Sequence, residues 1–240
     1  MNAIQSFNDL AEDYDSWFDE NSEVYKVEIE TLAAMVPENG RGLEIGVGTG
    51  RFAAPLGIRT GIDPARRPLN YALSRDILVC QAFGERLPFE SDRFDFALLN
   101  TVDPFVEDIQ IILNEIHRVL NTRGRIIIGM IDKDSHLGQI YNAEKKNDPF
   151  FRDAHFHSTG DIIRHLRDTG FSNIVSRQTL LGDILNAARE NEKDAKTTGC
   201  TLAIQDGHGE GGFVALRADK LTSKQAAMLS MNTEKFISNR

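Results

Sequence analysis

The chain has 240 residues, 41% of them hydrophobic and 26% charged, and a formal net charge of −9 at pH 7. No apolar run approaches the ~20 residues a membrane helix needs, so no membrane partner is expected, and an acidic chain lacks the basic surface that gives a nonspecific grip on nucleic acid. Cys80 and Cys200 make no disulfide framework, and the N-terminus lacks both a basic start and an apolar core, so a reducing, cytoplasmic setting is expected.

In chain order, residues 3–36 are expected to form two helical pieces. In the first, "AIQSFNDLAEDYDSWF", Ile4, Phe7, Leu10, Ala11, Tyr14 and Phe18 recur at helical spacing. The second, "SEVYKVEIETLAAMV", has Asn21 or Ser22 as its cap and stops before Pro37. Strands are predicted at 42–46, 59–63, 77–81, 94–100 and 124–131, with helices between them. The clearest helix covers 106–120, where Ile109, Ile112, Leu113, Ile116 and Leu120 share a face. Apolar strands alternating with helices predict a parallel sheet covered on both sides. Cys80, inside one such strand, is expected to be buried and inert. Segment 132–157 is polar and too long for a simple connection. A helix follows over 158–170, with Ser158 as N-cap and Gly170 past its end, and then strands over 173–180 and 211–218. Two late strands without a helical crossover should pair antiparallel. The run "RENEKDAK" (189–196) reads as a solvated helix face, and the tail from Lys220 as a short helix or a frayed end.

The stretch "GLEIGVGTGRFA" carries the chemistry. A short strand enters glycines at 46, 48 and 50, and Arg51 stands where a dinucleotide fingerprint would need its third glycine for close helix packing. Glu44, at the strand's carboxyl end, suits a ligand with positive charge and opposes a pyrophosphate. Asp63, ending the second strand, can accept hydrogen bonds from both hydroxyls of a ribose, and also suits an N-cap ahead of "PARRPLNYALS". A ribose with a cationic neighbour and no phosphate describes S-adenosylmethionine, whose transfer product is S-adenosylhomocysteine.

The segments "LEIGVGTGRFA", "GIDPA", "ERLPFESDRFDFALLNTV" and "EIHRVLNTRGRIIIGMID" resemble, in order and spacing, the class I S-adenosylmethionine-dependent methyltransferases, and most closely the small-molecule group called type 11. The resemblance implies a Rossmann-like α/β fold: a mostly parallel, seven-stranded sheet with an antiparallel last strand and helices on both faces. It implies an N-terminal helical lid (1–37), a methyltransferase domain (38–219) with a substrate-side insertion (132–157), and a C-terminal tail (220–240). By the same resemblance Gly46, Gly48 and Gly50 approach the methionine part of the cofactor, Glu44 its ammonium, and Asp63 its ribose. Asn100 and Thr101 lie beside the methyl group, and Tyr14 belongs to the lid. The family often places an aspartate four residues before "LPF"; here Phe83 stands there, leaving adenine to the backbone at Gly84 and Glu85, to the Glu85 side chain, or to stacking on Phe83. Phe83 also reads as a core residue.

The implied partner is a small-molecule methyl acceptor, methylated at O or N by in-line displacement. Candidate bases are Asp103, Asp132, His136, His155 and His157, and no spacing singles one out. "DPF" (103–105) reads as a turn, and "DAHFH" (153–157) as a solvated or substrate-facing loop rather than a metal site. Tyr14, Trp17, Phe18 and Tyr141 either close over the site or pack the N-terminal helices on the body. Two other uses of the chain stay open: a nicotinamide oxidoreductase, against which Arg51 speaks, and a cofactor-binding partner without turnover, for which Phe83 speaks. No signature of oligomeric state is visible.

Overall fold

The apolar stretch before the glycines forms β1 (Gly42–Ile45), buried along its whole length. In the computed structural model, which describes residues 3–181 and 203–221, it lies at the middle of a sheet with β2 (Thr60–Asp63), β3 (Leu78–Gln81), β4 (Phe94–Asn100), β5 (Leu120–Ile131), β6 (Phe171–Leu181), β7 (Gln205–Asp206) and β8 (Gly211–Lys220). The order is β3-β2-β1-β4-β5-β8-β6-β7. The first five strands are mutually parallel. β8 inserts antiparallel between β5 and β6. The sheet thus has eight strands, the unforeseen one being the two-residue β7, which pairs with β6 at Arg177 and Gln178.

Alternation along the central strands divides the core. Leu43, Ile45, Ala97, Leu99, Ile126, Ile128, Val214 and Leu216 face α5 (Ile109–Val119) and α7 (Thr159–Asp168). Leu98, Ile127, Phe213 and Ala215 face the other way, toward α3 (Ser22–Ala33) and α4 (Arg66–Ser74). Both faces are apolar because both are covered. In α5, Ile109, Ile112, Leu113 and Ile116 are buried, each contributing about 1.5–3 kcal/mol. Asp108 caps that helix by accepting from the Gln110 N–H, and Ser158 caps α7 by accepting from Asp161. Gly170, φ 91°, follows the end of α7.

Several expectations change. The first N-terminal piece is two helices, α1 (Ala3–Asp9) and α2 (Ala11–Glu20), broken at Leu10. The end of α1 is held elsewhere: the Asn8 side chain accepts from the Arg67 N–H at 2.9 Å. Asn21 does not cap α3, because its amide donates to the Trp17 carbonyl instead. Between β1 and β2 the chain forms turns rather than a helix, since Pro55 offers no N–H and Gly57 takes φ 73°. Cys80 is exposed, not buried: β3 is an edge strand whose Leu78 is also 72% exposed. Phe83 is 57% exposed and so is no core residue. Segment 132–157 contains α6 (His136–Glu144), capped by Ser135. The run 189–196, Cys200 and nearly all of the tail lie outside the described residues. Among the described residues no helix is long and apolar enough to cross a membrane.

Candidate active site

From β1 the chain moves to β2 on one side and later returns to β4 on the other, which opens a crevice at the strands' carboxyl ends. A cavity of about 540 Å³ lies there, within the range of about 300–1,000 Å³ that holds small ligands. Its wall brings together Gly46, Gly48, Asp63, Gly84, Glu85, Asn100 and Thr101, with Tyr14 from α2. Phe83 borders it too.

Asp63 is the hinge of this wall. One carboxylate oxygen accepts the Gly48 N–H at 2.9 Å and the other the Ala65 N–H at 2.7 Å. The second bond turns the chain into α4, so the carboxylate shapes both the glycine loop and the helix start. Each oxygen keeps a lone pair for a further donor. Burial raises this carboxyl to about 6, despite the two amides, which lower it. At the end of β4, Thr101 takes φ 52° and donates to the Gly129 carbonyl at 2.7 Å. A non-glycine residue there costs about 1–2 kcal/mol, and the chain that follows continues along the cavity wall at Val102, Phe105, Val106 and Glu107.

Glu44 is 2% exposed and stands beneath the glycine loop, outside the cavity wall. Burial raises its carboxyl well above the ordinary range; an Ala53 amide lowers it and the charge of Asp63 raises it further. Its Oε2 has no partner among the described residues. The Tyr14 phenol is raised by burial first, then by Asp63, Glu44, Glu28 and Asp15, and stays protonated. The charged residues of the wall are Asp63, Glu85, Glu107 and Asp153, with no Lys, Arg or His among them. Such a cleft concentrates cations and repels phosphates.

Other candidates stand apart. Asp132 accepts the Thr159 hydroxyl at the start of α7 at 2.7 Å and the Asp134 N–H at 3.0 Å, in the turn before α6. Asp103 is fully buried, 3.3 Å from His157 Nδ1; burial raises its carboxyl while His157 lowers it. His155 is exposed, and its backbone N–H ties the insertion to the Pro104 carbonyl at 2.7 Å. His136 opens α6. None of these five lines the cavity. Sequence reasoning missed Ala3, Ile4 and Phe7 of α1, Phe105, Glu107 and, from "DAHFH", Asp153 as wall residues. Ile4, Phe7 and Tyr14 were visible as one apolar stripe; that the stripe faces a cavity required the fold.

The residues fit S-adenosylmethionine: an unpartnered carboxylate oxygen under the loop, a ribose-competent aspartate, and a wall without basic side chains. This constellation on this sheet defines a class I S-adenosylmethionine-dependent methyltransferase. A family model described as a methyltransferase domain matches residues 43–128. A Methanocaldococcus jannaschii protein of uncharacterized function is 45% identical over 215 residues, covering 90% of this chain and 98% of its own. A Mycobacterium tuberculosis protein, also uncharacterized, is 36% identical over 171 residues, of which this chain covers 70% of itself and 60% of the relative. A Thermotoga maritima crystal structure, described as an S-adenosylmethionine-dependent methyltransferase and possible histamine N-methyltransferase, superposes with TM-score 0.81 at 34% identity over 92% of this chain and all of that one. The chain belongs to this methyltransferase family.

Proposed function

We propose that the enzyme methylates a small molecule at nitrogen or oxygen by in-line displacement, in a cytoplasmic setting. The supporting observation is the single wall that joins the glycine loop and Asp63 to residues of α1, α2 and the insertion. On this reading Gly46 and Gly48 admit the methionine part, while Gly50, outside the cavity wall, lets the loop pack on Ile77 and Ala72, and the unpartnered oxygen of Glu44 faces its ammonium through the loop. Asp63 takes the ribose hydroxyls, Gly84, Glu85 and the exposed ring of Phe83 take adenine, and Asn100 and Thr101 stand beside the methyl group. The bound cofactor supplies an electrophilic methyl on a sulfonium. The chain's own work is to orient the acceptor and exclude water; α1 and α2 act as the lid, with Phe7 and Tyr14 beneath it. Asp103 and His157 hold the insertion against the turn after β4 rather than touching the reacting atoms.

Calorimetry of S-adenosylmethionine and S-adenosylhomocysteine with wild type and Asp63→Ala tests this. The expected result is micromolar binding, about −8 kcal/mol, weakened at least tenfold in the variant. Because Asp63 titrates near 6, and only its ionised form offers all its lone pairs, affinity should fall as pH drops below about 6. Wild-type binding that is absent, or untouched by Asp63→Ala, would refute the assignment.

A further inference from the structure

The first turn of α4 has no cap of its own, because Ala65 at the capping position brings no side-chain acceptor. The acceptor comes from α1, 59 positions away in the chain. Asn8 Oδ1 accepts the Arg67 N–H at 2.9 Å, and Asn8 Nδ2 donates to the Ile4 carbonyl at 3.0 Å, which fixes the carboxamide in that pose. The Arg67 guanidinium reaches back to the Asn8 and Asp9 carbonyls, at 3.5 and 3.4 Å. A cation suits the C-terminal end of a helix, whose last carbonyls lack partners within it. Each helix supplies the end group that the other needs.

This junction stands on the cavity. Ala3, Ile4 and Phe7 of α1 line it, and so do Pro64, Ala65 and Pro68 around the start of α4. On the other flank Phe7 meets Phe105, in the turn after β4, edge-on at 5.5 Å, and Phe150 of the insertion at 5.2 Å. α1 therefore lies across the cavity from α4 to the insertion. Its neighbour α2 is tied to the glycine loop, where Arg51 holds both Asp15 and Asp19. Between the two helices the chain breaks at Leu10, with φ −112° and ψ 29°, and no side chain caps the start of α2.

Resting on the cofactor reading above, we propose that α1 is a gate over the cofactor, that it pivots at Leu10, and that Asn8 is its latch. Opening breaks the Asn8–Arg67 bond and the ring contacts of Phe7, and leaves α2 on the glycine loop. Asn8 is a positioning residue: it holds α4 and is not part of the cavity wall. The bond between the Asp63 carboxylate and the Ala65 N–H, at 2.7 Å, does not depend on it. Because the latch involves no ligand atom, it holds the empty and the filled cavity alike. Weakening it should speed entry and exit by the same factor and leave affinity as it was.

The test is surface plasmon resonance of S-adenosylhomocysteine over the immobilised full chain. Losing an N-terminal cap shifts the opening equilibrium about fivefold, so Asn8→Ala should raise both kon and koff by about that factor with Kd unchanged. Asn8→Asp, which keeps an acceptor for the Arg67 N–H, should bring both rates most of the way back. Asp63→Ala should instead raise Kd. Hydrogen exchange on Asn8→Ala without ligand should speed up in residues 3–9 and at Arg67, and stay as in wild type over 11–20. Unchanged rates in Asn8→Ala, a Kd that rises while kon holds, or exchange that speeds up through 11–20 as well overturns the proposal. Wild-type chain that binds no S-adenosylhomocysteine overturns the earlier reading instead, and the exchange measurement, which needs no ligand, then decides the latch by itself.

Discussion

Gly48 and Gly50 both take positive φ, at 50° and 82°, yet a methyl group would act differently at each. A Cβ on Gly50 would lie 2.5 Å from Ile77 Cδ1 and 3.1 Å from the Ala72 backbone. One on Gly48 would meet only Tyr14, at ordinary contact distance, on the cavity side. Gly50→Ala therefore combines backbone strain with overpacking, about 1–3 kcal/mol or more, and should appear as a lowered urea midpoint. Gly48→Ala should cost about 1 kcal/mol in stability but weaken S-adenosylhomocysteine by tenfold or more. Equal losses of stability in the two variants would show that the loop serves packing alone.

One level up, α2 is fastened to the glycine loop by charge. Asp15 meets Arg51 at 2.9 Å and Arg75 at 2.9 Å; Asp19 meets Arg51 at 2.7 Å. Arg75 also donates to the Thr49 carbonyl, and the Tyr25 hydroxyl to that of Arg51. The arginine that disqualifies a dinucleotide fingerprint is thus the clamp for α2. Burial alone would raise the Asp15 carboxyl, but its bonds to Arg51 and Arg75 bring it from 3.8 down to about 2. A depressed carboxylate stabilises the fold above its unfolded pKa and loses that contribution as pH falls through its folded one. Here the window runs from about 4 down to about 2, and roughly 2 kcal/mol is at stake. Asp15→Ala should lower unfolding free energy at pH 7 by that amount and flatten the acid limb in the same window. A cycle with Arg51→Ala giving no coupling would remove the clamp from the account.

For the molecule as a whole, the cavity at the sheet's carboxyl edge is closed from one side by the sheet and from the other by the N-terminal helices, since Ala3, Ile4, Phe7 and Tyr14 share its wall. Ligand binding should therefore order α1 and α2 together with the loop. S-adenosylhomocysteine at a hundredfold excess over Kd stabilises by about 2.7 kcal/mol, a rise of roughly 5–10 °C in Tm for a chain this size. Hydrogen exchange should slow in residues 3–20 as well as in 46–50. Protection limited to the loop would mean that the helices pack on the body without acting as a lid.

What could be read in the residues was local and repetitive: apolar strands, an alternation that spells a parallel sheet, three glycines in the turn after β1, and an aspartate at the end of β2. Those features also identify the cofactor, because its ribose and positive charge need particular groups at strand ends, and strand ends are visible in a sequence. Asp63, Gly46, Gly48, Asn100 and Thr101 were legible for that reason as candidates, and all five line the cavity. Other properties depended on packing partners far away in the chain. Cys80 faces solvent because its strand is an edge, and "DAHFH" divides between the cavity wall, the surface and a buried aspartate because the insertion folds back on the turn after β4.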